Sequence, residues 1–418
     1  MRILIATKFR SQLGGVERYL QRLIPGLLAH RHEIALVYGA PLESSTETID
    51  PPGQPLQAWC LAQDGLTKTL KSVEMWKPEL VYFHEVETQY GDAFEEALLA
   101  AYPVVQYLHN YDRTCLSGNK CFSFPSRQGC ARRFGPACLV MYFPRRCGGL
   151  HPGTMFRMYS EHRQRHARLA SYKAILVASN WMHSELQRNG VESGKLHLVR
   201  YPMTDVAPQP QAPEPRAPGG RLLFLGRLTP LKGVDYLIRA LPLASRALNR
   251  RLTLTVAGEG PALEDLRRLA AELNAPVEFF GWADTSSKIR LIRAADLQVV
   301  PSIWPEPFGL VGIESGCYGV PSAGFAVGGI TDWLMDGENG YLASGDSPSV
   351  PALAQAIHKV LSSPAEYSKL SAGAWNIAKR YTLETHLAQL EAVFDGVKSG
   401  VEVQPVEDLR LHKAAAAR

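Results

Sequence analysis

Leu297-Gln298-Val299-Val300-Pro301-Ser302-Ile303-Trp304-Pro305-Glu306-Pro307-Phe308-Gly309-Leu310-Val311-Gly312-Ile313-Glu314 reads as an apolar strand, a tight loop and the start of a helix. Two glutamates, Glu306 and Glu314, stand eight positions apart with a Pro-Phe-Gly turn between them. A helix start leaves backbone N–H groups free and points the positive end of its dipole into the loop. That arrangement is a ready anion site. Glu306 precedes the helix and Glu314 lies about two turns into it. One carboxylate would grip one end of a phosphorylated ligand and the other its far side.

The same strand-and-helix alternation runs through both halves of the chain. In the first half, 3–6, 34–38, 80–83, 104–108 and 174–178 read as buried parallel strands, with helical patterns such as 16–29 and 160–171 between them. In the second half, 221–225, 252–257, 277–279 and 297–300 repeat the arrangement, with helices over 235–241 and 263–273. Alternation of this kind predicts an α/β protein built on doubly wound sheets. The stretch 202–220 carries six prolines and almost nothing apolar, a stiff linker composition that separates the halves. Two open α/β domains are expected to bind ligand in the cleft between them, at the carboxyl ends of their strands.

A length of 418 residues fits two or three domains of roughly 100–200 residues each. Hydrophobic content of 46% and charge of 20% suit a soluble globular enzyme. The opening Met1-Arg2-Ile3-Leu4-Ile5-Ala6-Thr7 is too short an apolar run for a signal-peptide core, and no stretch approaches the roughly 20 apolar residues of a spanning helix. A cytosolic protein is expected. The net charge of +5 is uneven: 111–150 holds seven basic residues (Arg113, Lys120, Arg127, Arg132, Arg133, Arg145 and Arg146) against one acid, Asp112. Such a patch serves an anionic substrate, a membrane face or nucleic acid, or is a solvated surface.

Several strand ends carry candidate site residues. Gly14-Gly15 lies between the first strand and its helix and would let backbone approach a phosphate or sugar, or is a plain turn. It does not follow the dinucleotide G-x-G-x-x-G pattern. Arg227 and Lys232 stand five apart across the turn after strand 221–225, just ahead of a helix, and suit a diphosphate. Gly258, in Gly258-Glu259-Gly260-Pro261, permits close approach of a nucleotide or simply turns the chain into the next helix. His109-Asn110 follows the strand 104–108, placed either to bond a substrate hydroxyl or as a structural histidine. Five cysteines, Cys115, Cys121, Cys130, Cys138 and Cys147, fall within 33 residues without a C-x-x-C pair. A structural metal site, disulfides and separate thiols are the readings, in that order.

Taken in order, these pieces resemble the retaining glycosyltransferases of family 4, whose two Rossmann-like domains facing a central cleft form the architecture called GT-B. The resemblance runs from 1 to about 397 and is strongest over 221–341. There the chain carries Gly226-Arg227-Leu228 with Lys232-Gly233, Gly258-Glu259-Gly260-Pro261, Phe280-Gly281-Trp282, Pro301-Ser302, Glu306-Pro307-Phe308-Gly309-Leu310 with Glu314, Gly319-Val320-Pro321, Gly328-Gly329 and Asp336-Gly337-Glu338-Asn339-Gly340. The resemblance implies cations at Arg227 and Lys232 on the donor diphosphate, Glu314 on the ribose hydroxyls and Glu306 facing the transferred sugar. It implies the backbone of Phe308, Gly309, Leu310 and Val311 against sugar and phosphate, Gly14 and Gly15 in the first-domain glycine loop, and His109 near the sugar. Trp282 falls near the base pocket, or is a core tryptophan. The basic, cysteine-rich 111–150 is not part of the general pattern.

The resulting organisation is an N-terminal acceptor-side domain over 1–201 with the insertion 111–150, the linker 202–220, a nucleotide-sugar-binding domain over 221–380, a helix over 381–397 returning to the first domain, and a flexible tail 398–418. The expected activity is metal-independent, retaining transfer from a nucleoside-diphosphate sugar to a hydroxyl acceptor, a glycan or lipid-linked molecule, in cell-surface polysaccharide or glycolipid biosynthesis. The expected mechanism is front-face attack, with the departing phosphate oxygen taking the acceptor's proton. Zinc or iron at the cysteines is structural, catalysis needs no cofactor, and no nucleic-acid partner is expected. Peripheral contact with an anionic membrane, at the inner face of the plasma membrane, completes the expectation. The rivals are a sugar-nucleotide epimerase or hydrolase, which would consume donor without acceptor, and a non-catalytic nucleotide-sugar or glycan-binding protein.

Overall fold

The computed structural model describes residues 1–11, 14–41, 48–148, 151–203, 211–214 and 217–401. Parts of the Pro-rich stretch 202–220 and residues 402–418 of the tail lie outside them. The chain divides into two compact units. One comprises Met1–His109, Arg163–Pro202 and Leu383–Arg418, and the other Asn110–His162 and Met203–Thr382.

The first unit holds β1 (Arg2–Thr7), β2 (Glu33–Tyr38), β3 (Gln57–Cys60), β4 (Leu80–Phe83) and β5 (Val104–Leu108). The chain then forms a small antiparallel hairpin, β6 (Cys121–Phe122) and β7 (Gln128–Gly129), which belongs to the second unit. It returns to the first with β8 (Ala174–Val177) and β9 (Leu196–Leu198). Among the described residues the first sheet is parallel throughout, in the order β3-β2-β1-β4-β5-β8-β9. Helix Leu383–Ser399 also lies here, with His386, Leu387, Leu390, Val393 and Phe394 buried. It packs on the helix Gly15–Ala29, where Tyr19 Oη meets His386 Nε2 at 2.8 Å, and just beyond that helix His32 Nε2 meets Glu391 at 3.0 Å.

The second unit holds β10 (Arg221–Leu225), β11 (Thr253–Ala257), β12 (Val277–Gly281), β13 (Leu297–Val300), β14 (Ser322–Phe325) and β15 (Gly340–Ala343). They pair in parallel in the order β12-β11-β10-β13-β14-β15. Leu222 to Leu225 are all buried, the run expected of a strand covered on both faces. Helix Val234–Ala247 lays Leu237, Ile238, Leu241 and Ala244 on the core as one apolar stripe. Strand order reverses between β10 and β13, the point at which open α/β sheets leave a crevice at the strand carboxyl ends.

Two departures from the sequence reading concern organisation. The segment 111–150 belongs with the second unit rather than with an N-terminal domain 1–201. Tyr111 Oη donates to the Pro305 carbonyl at 2.8 Å, and Tyr111 meets the Trp304 ring edge-on, which ties the segment to the loop after β13. Strands β3, β9, β14 and β15 also go beyond the strands read from sequence. Ser322-Ala323-Gly324-Phe325, for example, is built of small residues and shows no bulky apolar run.

Candidate active site

The loops after β10 and β13 bring Lys232 and Glu306 together. Lys232 ends a single 3-10 turn, Pro230–Lys232, and its Nζ donates to Glu306 Oε1 at 2.6 Å. The same oxygen accepts from Ser302 Oγ at 2.5 Å and from Trp304 Nε1 at 3.0 Å. Three donors on one oxygen fix the orientation of the carboxylate, and the bonds that involve a charged group are the strong kind. The backbone is fixed as well: the Glu306 carbonyl accepts from Gly329 N–H at 2.7 Å, next to the Tyr111 bond on Pro305.

Gly233 makes this closeness possible. It sits at φ 66°, and a Cβ there would lie 2.0 Å from the Pro301 carbonyl oxygen. Only glycine lets the turn after β10 approach the loop after β13 so closely. Ile303 N–H then bonds the Leu231 carbonyl at 3.0 Å. Gly258, at the end of β11, is used the same way: its Cβ would lie 1.9 Å from the Gly226 carbonyl oxygen. Arg227, on the turn itself, is exposed, and its side chain has no hydrogen-bond or ion-pair partner among the described residues.

Beyond the loop, helix Leu310–Gly316 is only seven residues long. Glu314 is its fifth residue, little more than one turn in, not two. Its Oε1 accepts from Lys288 Nζ at 2.8 Å, and both side chains are buried. Lys288 comes from helix Thr285–Ala294, whose start is capped by Asp284 accepting from Ser287 N–H at 2.8 Å. The sequence reading missed Lys288. The available signal was its place four residues before Ile292, on the buried face of that helix. The Phe308 carbonyl accepts from Trp333 Nε1 at 2.8 Å, so that oxygen is engaged within the protein. The N–H groups of Gly309, Leu310 and Val311 have no hydrogen-bond partner among the described residues. Trp282, directly after β12, is 59% exposed and is not a core residue.

In the first unit, Gly14 caps helix Gly15–Ala29, and its N–H donates to Glu17 Oε2 at 2.9 Å. Burial raises the carboxyl of Glu17. His109 has both ring nitrogens engaged: Nε2 meets His84 Nδ1 at 2.7 Å, and Nδ1 meets the Tyr201 hydroxyl at 2.5 Å. Burial lowers its pKa to about 3 and holds that of His84 well below the ordinary value. The His84 Nε2 atom is buried without a partner. His109 is therefore the middle of a neutral chain Tyr201–His109–His84.

The five clustered cysteines, Cys115 to Cys147, are free thiols. Among the described residues no group of three or more His, Cys, Asp or Glu side chains is placed to hold a metal ion. The metal set expected at Cys115, Cys121, Cys130, Cys138 and Cys147 therefore has no formed site here. The thiols nevertheless feel one another: burial, then Cys115, Cys130 and Cys138, push Cys147 up to about 12, and burial pushes Cys121 to about 11. From the same segment Arg127 reaches a cavity of about 290 Å³ that is also lined by Thr229, Asp235 and Arg239. The basic segment thus borders the turn that carries Arg227 and Lys232.

Residues 209–376 match the model of the family described as glycosyl transferases group 1. The chain is 36% identical over 191 residues to a D-inositol 3-phosphate glycosyltransferase of Thermomonospora curvata, a match spanning 43% of each chain. It is 26% identical to a glycogen synthase of Mycobacterium tuberculosis, over 90% of this chain and 91% of that one. Anabaena Alr3699/HepE, solved in complex with UDP and with UDP-glucose, superposes with a TM-score of 0.66 at 17% identity, over 95% of this chain and 100% of that one. The fold is GT-B, the two-sheet α/β architecture of these glycosyltransferases.

Proposed function

We propose that this chain is a retaining glycosyltransferase that moves a sugar from a nucleoside-diphosphate sugar to a hydroxyl acceptor. The observation that carries the reading is Glu306 Oε1, gripped by Lys232, Ser302 and Trp304 where the strand order of the second sheet reverses. As the glycosidic bond breaks, negative charge builds on the departing diphosphate. Lys232, the unpartnered Arg227 and the free N–H groups of Gly309, Leu310 and Val311 are the donors available to it, and preorganised donors of this kind supply a large share of catalysis. Glu306 faces the sugar as positive charge develops there, and Glu314 holds the ribose hydroxyls. The departing phosphate oxygen takes the proton of the attacking hydroxyl on the same face, which retains the anomeric configuration. Two cations, Lys232 and Arg227, do the neutralising, so the step as proposed uses no metal.

The acceptor is a glycan or lipid-linked molecule, and the process is cell-surface polysaccharide or glycolipid assembly, with peripheral contact to an anionic membrane. A group 1 family match and a neighbour crystallised with UDP-glucose support the donor class. The test is a thermal-shift screen against nucleoside-diphosphate sugars, since a ligand that binds only the folded state raises its melting point. NMR of the product's anomeric configuration follows. Stabilisation by one donor and an unchanged anomeric configuration are expected. Donor consumption at full rate without acceptor, or an inverted product, would overturn the proposal.

A further inference from the structure

We propose that residues 121–148 together with Phe156 form a docking surface for an anionic lipid bilayer. The inference rests on the membrane contact of the preceding reading and names the surface that makes it. Phe124, Val140, Phe143 and Phe156 are 46%, 67%, 38% and 59% exposed, a concentration of large apolar side chains on one short segment of the second unit. Large apolar surface left in water marks an interaction site when it is contiguous.

Contacts within the segment draw its exposed rings and its cations together. Ser123 N–H bonds the Arg145 carbonyl at 3.0 Å, which seats the end of the β6–β7 hairpin beside Arg145 and Arg146. Arg146 lies over the Phe124 ring at 4.8 Å, and Arg145 over Phe122 at 5.0 Å. Val140 and Phe143 stand three apart at the helix Ala137–Tyr142, on one face. Phe143 also packs edge-on against Tyr142 at 5.1 Å. Phe156 follows Met155, which shares a small core cluster with Leu116 and Tyr142.

Charge selects the occupant. Arg132, Arg133, Arg145 and Arg146 have no carboxylate partner among the described residues, and 111–150 contains a single acid. Guanidinium groups bind phosphate oxygens in a bidentate fork, while apolar side chains such as Phe bury at the boundary of headgroups and acyl chains. Phenyl rings could stack on bases, but Val140, 67% exposed, offers a base neither a stacking face nor a polar group, so a bilayer fits better than nucleic acid. Among the described residues no helix is long and apolar enough to cross a membrane. The predicted contact is interfacial and reversible.

The experiment is vesicle flotation of the full chain, using phosphatidylcholine alone or mixed with phosphatidylglycerol, at low and high salt. Binding is expected on the mixed vesicles at low salt, with loss at high salt as exposed charges are screened. Phe124→Ser with Phe143→Ser, and separately Arg145→Ala with Arg146→Ala, should each reduce the bound fraction about tenfold, a shift near 1.4 kcal/mol. Val140→Asp, at an exposed site, serves as a third variant. Each variant must keep the wild-type melting point and its stabilisation by the donor sugar. Equal binding to both vesicle types, undiminished binding by the folded variants, or displacement of the vesicles by single-stranded RNA would overturn the docking surface. Donor stabilisation is read without vesicles, so its loss in the wild-type chain would count against the transferase reading alone.

Discussion

Tyr111 donates its hydroxyl to the carbonyl oxygen of Pro305 at 2.8 Å, one residue before the carboxylate that Lys232 holds. Its ring also meets Trp304 edge-on, with centroids 6.2 Å apart. A residue of the basic segment therefore positions the loop on which Glu306 stands. Tyr111→Phe keeps the ring and leaves the buried carbonyl without its donor, a loss of about 1–3 kcal/mol. Turnover is expected to fall about tenfold or more, with donor KM nearly unchanged. Steady-state kinetics checks this; an unaltered turnover number would show that the loop holds its place without the bond.

Removing the cations should hurt the transition state more than binding. Lys232→Ala and Arg227→Ala are each expected to lower turnover by roughly 10²–10³ under saturating donor. Glu306→Ala should likewise reduce turnover, because the developing positive charge loses its carboxylate. Rapid-quench or coupled assays at saturating donor supply the comparison. Near-normal rates for both cation variants would remove these residues from the chemistry.

Lys288 and Glu314 are a buried pair, and breaking one member leaves a charge without compensation. Lys288→Met or Glu314→Leu alone should destabilise the protein by about 3–5 kcal/mol, whereas the double variant should recover much of that loss. Donor affinity should not recover in the double variant, since Glu314 is also the proposed ribose ligand. Denaturant unfolding and donor titration on the three variants separate the two effects. Recovery of donor binding along with stability would confine Glu314 to a structural role.

The buried histidines set the acid limit. A histidine in the unfolded chain titrates near 6.5. In the folded protein burial lowers His109 to about 3 and His386 to about 4, and holds His84 well below its ordinary value. Over the intervening pH range the unfolded state binds the extra protons, so stability is full above about 6.5 and declines as pH falls. Each group contributes about 1.4 kcal/mol per pH unit until its own folded value is reached. Melting temperature should fall steeply between pH 6.5 and 4, and His109→Asn should flatten the slope. A melting point flat across that range would contradict the burial of these rings.

Much of the candidate site was legible in the sequence because its residues sit beside strand ends. Glu306, Lys232 and Arg227 are visible in short motifs with apolar strands in front of them. Their mutual bonding was not, since 74 positions separate Lys232 from Glu306 and only the sheet order brings them together. Lys288 escaped because a lysine on an amphipathic helix normally reads as a solvent-facing residue. His109 was legible as a strand-end histidine, but its engagement by His84 and Tyr201 depends on three separate strand ends. The segment 111–150 was placed by its position in the chain, while its packing follows from Tyr111, which carries no motif.

Neither compact unit is continuous, and synthesis on the ribosome must reckon with that. The helix Leu383–Ser399 supplies Leu387, Leu390 and Phe394 to the first core, so that core stays open until residues beyond the whole second sheet have been made. Residues 110–162 must wait in turn for the sheet that covers 203–382. The order of emergence and the order of closure are thus interleaved. Cutting the gene between residues 202 and 203 would give two fragments, each lacking part of its own interior, and co-expression of the two would be the route to recovering the fold.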